Sequence, residues 1–163
     1  MCGFVILIQP KKIFSERLLS NIQKSILHRG PDSGGTYSEK GIALIFRRLS
    51  ILDLRSISDQ PMINKKAGVI IVFNGEIYNY KELRKILKKK GYVFKTDSDT
   101  EVILNGYLEW GNKVSQKLEG MFAFAIFDKR KKKLVVSRDH LGIKPLYFFY
   151  NRDFMYFGSE IKP

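Results

Sequence analysis

The sequence predicts an α+β protein in which two mainly antiparallel sheets pack against each other, with helices on the outside. Strand-like segments come first, two helical segments follow, and the last third holds four more strand-like segments joined by short turns. These strand-like segments are nearly all apolar, as in residues 122–127, which implies burial on both faces. The length of 163 residues and the 44% hydrophobic content suit one globular domain.

Local patterns predict the individual elements. The apolar run at residues 4–9 indicates a buried strand, and residues 15–28 carry apolar side chains at helical spacing. Glycine and proline predict a loop at residues 28–35, with a turn at 33–36. We expect the remaining elements to be strands at 41–46, 68–73 and 92–96, helices at 80–90 and 98–110, and strands at 121–128, 134–138, 145–150 and 154–158.

Capping signals set the bounds of the last two helices. Asn79 can cap the first of them, and Gly91 provides a stop after residue 90. Residues 98–101 have the form of a capping box and open the second helix, which Gly111 closes.

Composition excludes several classes of protein. A single cysteine rules out an intrachain disulfide framework, and no apolar stretch reaches the roughly 18 residues that span a bilayer. We therefore expect a cytoplasmic protein without a membrane partner. The net charge is +13, and two basic clusters, at residues 88–90 and 129–133, contribute heavily to it at the ends of a predicted helix and in a predicted hairpin turn. Because no aromatic residues interleave with these lysines, we interpret them as solvated ends and expect no nucleic-acid partner.

The only cysteine is the second residue, Cys2. Removal of Met1 would leave a thiol and a free α-amine on one residue. An amine with a pKa of about 7.7–8.0 can accept a proton from a thiol with a pKa of about 8.5, so the two form a nucleophile and its base. The alternative is a small buried residue at the start of a strand.

An acyl-transfer site also needs oxyanion donors, and Asn74 and Gly75 directly follow the predicted strand at 68–73. A side-chain amide and a glycine N–H at a strand end can serve in this way. The competing interpretation is a type I′ hairpin turn, which Asn-Gly strongly favours. A helix cap follows almost at once, so no returning strand is expected.

Three further residues could bind the two ends of an amino acid. Arg48 could hold a carboxylate through two parallel hydrogen bonds, although it could also be a surface arginine. Glu76 and Asp99 could together bind an ammonium group, although they could also be a solvent-facing glutamate and a helix N-cap. With an acyl nucleophile, these groups describe a site for an amino acid with a side-chain carbonyl.

Other chemistries find less support. His28 and His140 could form a Cys–His pair with Cys2, but both lie in loop sequences that favour a hydrogen-bonding role. No metal site is expected, because two histidines and one cysteine lack ligand spacing. No P-loop or dinucleotide fingerprint occurs, and residues 33–36 lack the further acidic and hydroxyl residues of a pyrophosphate-binding loop.

Nine motifs in register resemble one known family over essentially the whole chain. They are MCG at 1–3, HRGPDS at 28–33, RLSILD at 48–53, QPM at 60–62, NGEIYN at 74–79, SDTE at 98–101, LEGMFAF at 118–124, RDHLGIKPLY at 138–147 and GSEIK at 158–162. Together they resemble the glutaminase domain of glutamine-hydrolysing asparagine synthetases, a class II glutamine amidotransferase of the N-terminal nucleophile hydrolase type.

The resemblance implies a four-layer αββα sandwich of two mainly antiparallel sheets flanked by helices, the N-terminal nucleophile hydrolase fold. It implies that Cys2 attacks the side-chain amide of L-glutamine, with Asn74 and Gly75 as the oxyanion hole. The substrate-binding residues that it implies are Arg48 for the carboxylate, Glu76 and Asp99 for the α-amino group, and backbone groups of Arg48, Leu49, Ser50, Ile51 and Leu52 for the pocket wall.

The resemblance also implies two domains with different activities. Residues 1–163 would form the glutaminase domain, and a C-terminal synthetase domain absent from this chain would act in cis or in trans. We expect no cofactor for this domain, and ATP with Mg²⁺ for the synthetase domain, which makes asparagine from aspartate. A homodimer is possible. The alternatives are amidation of another carboxylate, such as a sugar acid in polysaccharide synthesis, and a module that senses glutamine without turnover.

Overall fold

The computed structural model describes residues 1–161 and contains nine strands and three α-helices over that range. In chain order they are β1 (Gly3–Ile8), α1 (Glu16–Ser25), β2 (Ser33–Glu39), β3 (Ile42–Arg48), β4 (Met62–Asn64), β5 (Val69–Ile77), α2 (Tyr80–Lys89), α3 (Asp99–Trp110), β6 (Gly120–Asp128), β7 (Lys133–Arg138), β8 (Tyr147–Tyr150) and β9 (Met155–Gly158). Lys162, in the last of the nine motifs, lies outside the described residues.

The strands form two sheets. One has the order β2-β3-β1-β9-β8, the other has the order β4-β5-β6-β7, and every neighbouring pair is antiparallel. The four strands of the last third are therefore divided: β6 and β7 complete one sheet, whereas β8 and β9 complete the other. This differs from the continuous run that the sequence indicated.

Three apolar layers hold the elements together. Side chains alternate between the two faces of a strand, so Val5 and Leu7 of β1 pack with α1, whereas Phe4 and Ile6 face the second sheet. In the same way, β5 directs Ile70 and Val72 between the sheets and directs Val69, Ile71 and Phe73 toward α2 and α3. The order of layers is therefore helix, sheet, sheet and helices. The four-layer sandwich predicted from the sequence is confirmed.

Two local predictions were wrong, and one strand was not predicted. Residues 33–36 are part of β2 rather than a turn, because their backbone pairs with β3 in the register Ser33↔Arg48 to Glu39↔Ile42. Residues 92–96 form no strand, since Lys95 and Thr96 donate their N–H groups to the Glu101 carboxylate. The short strand β4 was not expected at all.

The strand that leads to the predicted oxyanion donors is longer than expected. It runs to Ile77, with Asn74 opposite Ala123 and Gly75 opposite Phe122 of β6, so Asn74 and Gly75 lie within β5 and form no hairpin turn. The backbones approach closely here, because a Cβ on Gly75 would collide with the Met121 carbonyl oxygen. Glycine is the residue that this approach allows.

The capping predictions are confirmed in part. The Ser98 side chain accepts a hydrogen bond from the N–H of Thr100 at 3.1 Å, and Gly111 ends α3 with φ +59°. The predicted capping box is not formed, because the Glu101 carboxylate accepts from the N–H groups of Lys95 and Thr96, whereas the N–H of Ser98 donates to Thr96 Oγ1. Gly91 follows α2 with φ +90°. Asn79 precedes α2 but does not cap it with its side chain, which instead bonds the backbone of Lys117 and Glu119. None of the helices within residues 1–161 is long and apolar enough to cross a membrane.

Candidate active site

Strand alternation brings three predicted site residues to one end of the space between the sheets. Cys2 precedes Phe4 on β1, Arg48 follows Phe46 on β3, and Asn74 follows Val72 on β5, each at the two-residue spacing that keeps a side chain on the same face. Gly3 lies opposite Arg47 in the ladder, which places Cys2 beside Arg48.

A cavity of about 240 Å³ opens at this end of the sheets. Nine of the ten predicted site residues line it, namely Cys2, Arg48, Leu49, Ile51, Leu52, Asn74, Gly75, Glu76 and Asp99. Ser50 does not line it, because its backbone N–H donates to Asp32 at 2.7 Å and the residue faces that side chain. Of the residues predicted to form the pocket wall, four therefore remain, namely Arg48, Leu49, Ile51 and Leu52.

The thiol of Cys2 lies against the backbone of Leu49. Sγ is 3.4 Å from the Leu49 nitrogen and 3.5 Å from its carbonyl oxygen, and the Cys2 carbonyl accepts from Arg29 at 3.1 Å. Burial raises the pKa of the thiol, whereas the Leu49 N–H, the chain's amino terminus and Arg48 act in the opposite direction. With Met1 attached, the thiol is thus held in its protonated, weakly nucleophilic form.

Met1 stands at the mouth of this cavity. Its side chain lines the opening, and its Sδ accepts from the Nζ of Lys144 at 3.4 Å. Lys144 is 7% exposed and is held by a hydrogen bond of 3.0 Å from its N–H to the Asp139 carboxylate. A buried lysine was not expected at this position, because the motif at 138–147 that contains it carried no predicted role for Lys144.

Asn74 carries an unused donor into the cavity. The residue is 2% exposed, and its Nδ2 has no hydrogen-bond partner within residues 1–161. A buried amide without a partner costs about 1–3 kcal/mol, so such a group in a cavity wall indicates that a ligand acceptor completes it.

The backbone N–H of Gly75 points into the same space. The N–H groups of Phe73, Gly75 and Ile77 lie on one edge of β5 because strand geometry repeats every two residues. Phe73 donates to Gln60 Oε1 at 2.6 Å, and Ile77 donates to Asp99 Oδ2 at 3.1 Å. The N–H of Gly75 lies on this edge between these two bonds, and Gly75 lines the cavity next to Asn74, so two donors from adjacent residues are available at the same wall.

Two carboxylates mark another part of the wall. Asp99 is 5% exposed, and burial raises its pKa to about 6, with a further rise from the negative charge of Glu76. Its hydrogen bond from Ile77 acts in the opposite direction but does not offset burial. The negative charge of Glu76 thus makes the ionised form of Asp99 less favourable, and a cationic ligand group between the two carboxylates would offset that cost.

The Arg48 side chain hydrogen-bonds the loop of residues 52–59 beside the cavity. Its Nη1 donates to Asp59 at 2.8 Å and to the Arg55 carbonyl at 3.3 Å, and its Nη2 donates to the carbonyls of Leu52 and Asp53 at 3.1 and 2.6 Å. The side chain is therefore a structural support for residues 52–59 as well as a cavity wall. It is neither a surface arginine nor an unengaged cation.

Gln60 also lines the cavity, although the sequence predicted no role for it beyond its place in the QPM motif at 60–62. It is 6% exposed, and its amide bonds both the N–H and the carbonyl of Phe73, like a strand partner, at 2.6 and 3.3 Å. The same amide donates to Thr100 Oγ1 at 3.2 Å, beside Asp99. Gln60 thereby fixes β5 immediately before Asn74 and joins it to the first turn of α3.

Neither histidine takes part in the cavity. His28 Nε2 lies 2.7 Å from the Glu160 carboxylate, and His140 is exposed in the turn that follows β7. This agrees with the interpretation that both belong to loops, and it leaves the cavity without an imidazole base.

Comparison with known proteins gives one consistent result. The family model described as "Glutamine amidotransferase domain" matches residues 1–163. Asparagine synthetase (glutamine-hydrolysing) 1 of Bacillus subtilis is 45% identical over 99% of this chain and 26% of its own length, and asparagine synthetase 2 of rice is 38% identical over 99% and 27%. The chain thus spans about a quarter of the length of these relatives.

A solved structure shows the same fold. Glutamine phosphoribosylpyrophosphate amidotransferase from B. subtilis, in complex with ADP and GMP, matches with a TM-score of 0.78 and 19% identity over 98% of this chain and 42% of that one. The likeness supports the αββα sandwich of the N-terminal nucleophile hydrolases. With a family model that covers its full length, the chain belongs to the glutamine amidotransferase domain family.

Proposed function

We propose that this chain hydrolyses the side-chain amide of L-glutamine by means of Cys2, once Met1 has been removed. The observation that carries the proposal is that the Cys2 thiol and the unpartnered Nδ2 of Asn74 share one cavity with the inward N–H of Gly75. A nucleophile and two converging donors are the minimum that acyl transfer needs.

The proposed reaction uses the amine of Cys2 as its base. The α-amine accepts the thiol proton as Sγ bonds to the amide carbon, and the oxygen that gains charge accepts from Asn74 and Gly75. The protonated amine then gives its proton to the departing nitrogen, so ammonia leaves and a γ-glutamyl thioester remains. Water attacks the thioester, the amine again accepts a proton, and glutamate leaves as the thiol is restored.

The remaining groups fit the other end of the substrate. Glu76 and Asp99 would hold the α-ammonium, which offsets the cost of two acidic groups in one wall. Arg48 would attract the α-carboxylate, and because its Nη atoms support the covering loop, substrate binding and loop position would be coupled. The cavity of about 240 Å³ suits one small amino acid.

We further propose that the ammonia is delivered to a synthetase site that makes asparagine from aspartate, in a domain acting in cis or in trans. The names of the relatives support this acceptor, and those relatives are about four times longer than the matched region. Another carboxylate acceptor remains the alternative. ATP and Mg²⁺ would act in that synthetase domain. A cytoplasmic location, residues 1–163 as one domain, a homodimer and the absence of a nucleic-acid partner stay predictions.

The alternative function, a module that binds glutamine without turnover, would apply to a form of the chain that keeps Met1. Met1 blocks the amine of Cys2 and occupies the cavity mouth through its contact with Lys144. A chain that keeps Met1 would retain the substrate-binding groups but would lack the proposed base.

Removal of Met1 is therefore the first test. A preparation that retains Met1 should have little glutaminase activity, and treatment with a methionine aminopeptidase should restore it, because only a free α-amine on Cys2 can accept the thiol proton. Intact-mass measurement gives the fraction processed, and glutamate release gives the activity.

Activity should rise in proportion to the processed fraction. Mock treatment without the peptidase is the control. Equal activity in both forms would remove the amine from the mechanism, and glutamine binding without turnover by the fully processed form would favour the sensing module.

The pKa of Asp99 leads to a prediction about pH. Burial raises this pKa to about 6 in the empty protein, so the carboxyl group becomes neutral as the pH falls through that value. Glutamine affinity should then fall below pH 6, by up to about tenfold per pH unit if binding requires the charged form. Above pH 6, the buried charge instead costs stability in the absence of substrate.

Calorimetry on the Cys2→Ala protein can measure this binding without turnover. Asp99→Asn should remove the pH dependence and weaken binding at neutral pH, whereas the exposed control Asp153→Asn should change neither. A pH-independent affinity between pH 5 and 8 in the protein with Asp99 intact would exclude Asp99 as the ammonium partner.

A further inference from the structure

A second and larger cavity lies on the other side of the first turns of α3. Its volume is about 1020 Å³, just above the roughly 300–1,000 Å³ that is usual for small-molecule sites. It is bounded by β4 and the turn after it, by residues 91–95, and by α3. None of the residues proposed to bind glutamine lines it, so it is a separate feature of the molecule.

Four cations surround this cavity without an anionic partner. They are Lys65, Lys66, Lys95 and Arg130, and none has a carboxylate within 4.0 Å among residues 1–161. Two other cations of the basic turn are paired, since Lys129 contacts Glu39 at 2.8 Å and Lys131 contacts Asp128 at 3.6 Å. The four cations at the cavity therefore combine two properties: they have no carboxylate partner among the described residues, and they line the same space.

One carboxylate also lines the cavity, and its hydrogen bonds are directed away from the cations of the rim. Glu101 accepts from the N–H groups of Lys95 and Thr96 at 3.0 and 2.7 Å, and from the Thr96 hydroxyl at 2.7 Å. Its single negative charge is outnumbered by the four cations that line the same space. The cavity keeps an excess of positive charge that an anionic ligand would satisfy.

The inner wall offers an amide on an apolar surface. Asn105 is 4% exposed, lines the cavity, and its Nδ2 has no hydrogen-bond partner within residues 1–161. Met62, Leu104 and Leu108 lie around it, and the aromatic residue Tyr92 lines the same space. An asparagine amide presents one donor edge and one acceptor in a plane, which matches the hydrogen-bonding edge of a planar heterocycle.

We propose that this cavity binds a small anion with a planar, hydrogen-bonding body, of the nucleoside monophosphate class. The phosphate would lie among Lys65, Lys66 and Arg130 at the rim, and the base would reach Asn105 against the apolar wall. A phosphate has the charge that the rim lacks, and the base provides the partner that the buried amide lacks. The proposal does not depend on the glutaminase reaction.

Isothermal titration calorimetry with AMP, GMP, CMP and UMP tests the site. At least one of the four should bind saturably at one molecule per chain, and higher salt should weaken the binding. The double variant K65Q/R130Q should weaken it about tenfold or more, because it removes two charge-assisted contacts. The matched control K24Q/K85Q, which neutralises two exposed lysines on α1 and α2, should leave it nearly unchanged.

Asn105→Leu separates the base from the phosphate. This variant should weaken the preferred monophosphate while leaving the weaker binding of inorganic phosphate unchanged, and glutamine should not compete with either ligand. Thermal melting shows whether Asn105→Leu is folded. If Asn105→Leu does not fold, the surface variant K65Q/R130Q still tests the site. Failure of all four monophosphates to bind, equal losses in both double variants, or inorganic phosphate binding as tightly as the best monophosphate would overturn the proposal.

Discussion

Replacement of Cys2 by alanine should abolish glutamine hydrolysis while leaving glutamine binding largely intact. Cys2 is the only cysteine of the chain, so no second thiol can take its place. The groups proposed to hold the substrate ends, which are Arg48, Glu76 and Asp99, are unchanged by the substitution. We expect activity at the level of a mock purification, measured as glutamate release from Met1-free protein.

The structure indicates that Cys2→Ala removes the thiol with little effect on the rest of the fold. The Cys2 side chain hydrogen-bonds only weakly, to the backbone of Leu49 at 3.4–3.5 Å, and packs at the margin of the apolar layer between the sheets, so the loss of one sulfur atom should alter the fold little. Cys2→Ser is a matched control of nearly the same size, which should also be inactive or nearly so because a hydroxyl is a much weaker nucleophile at neutral pH. Turnover by Cys2→Ala above the mock level would assign the chemistry to another group.

Replacement of Asn74 by alanine should lower kcat by about 10²–10³-fold, as the loss of one oxyanion donor does in other acyl-transfer enzymes. KM should change less, because the charge that Nδ2 is proposed to stabilise develops only in the transition state. The effect on stability should be small or favourable, since Nδ2 has no partner within residues 1–161 in the absence of substrate.

The chain offers a matched control in Asn105. This residue is also buried and also carries an Nδ2 without a partner among the described residues, but it lines the other cavity. Asn105→Ala should therefore leave kcat and KM for glutamine nearly unchanged. A raised KM with unchanged kcat in Asn74→Ala would mean that Asn74 grips the substrate in its ground state, and equal losses in both variants would mean a general effect of truncating buried asparagines.

Much of the fold was predictable because it depends on apolar alternation. The runs around Phe4, Phe46 and Val72 are long enough to be buried on both faces, which requires a sheet against a sheet and helices outside. The same alternation places Cys2 and Asn74 between the sheets. The alternation therefore predicts that these two site residues share the space between the sheets. Only the strand pairing seen in the structure shows that they lie at the same end of that space.

The errors have a common physical cause, which is that local signals were decided by distant partners. Gly34 and Gly35 are typical of a turn, but they lie in β2, where a Cβ on Gly34 would meet the Arg47 side chain and one on Gly35 the Gln60 carbonyl. Asn74 and Gly75 are typical of a hairpin, yet pairing with β6 keeps them in a strand. Close approach explains these glycines better than turn chemistry does.

Other features of the site could not be read from local sequence at all. The loop contacts of Arg48 depend on the path of residues 52–59, and the contact of Lys144 with Met1 joins residues that are 143 positions apart in the sequence. The raised pKa of Asp99 results from burial, which a helix N-terminal aspartate does not reveal. These are properties of tertiary packing rather than of any motif.

Cys2, with its own free amine, is proposed to form a γ-glutamyl thioester. Rapid acid quenching of the Met1-free protein during turnover, followed by peptide mass mapping, can detect this intermediate. We expect a glutamyl group on the peptide that begins with Cys2, appearing with the first turnover and absent from Cys2→Ala. Full-rate glutamate production with no glutamyl group on that peptide, or by protein that keeps Met1, would contradict it.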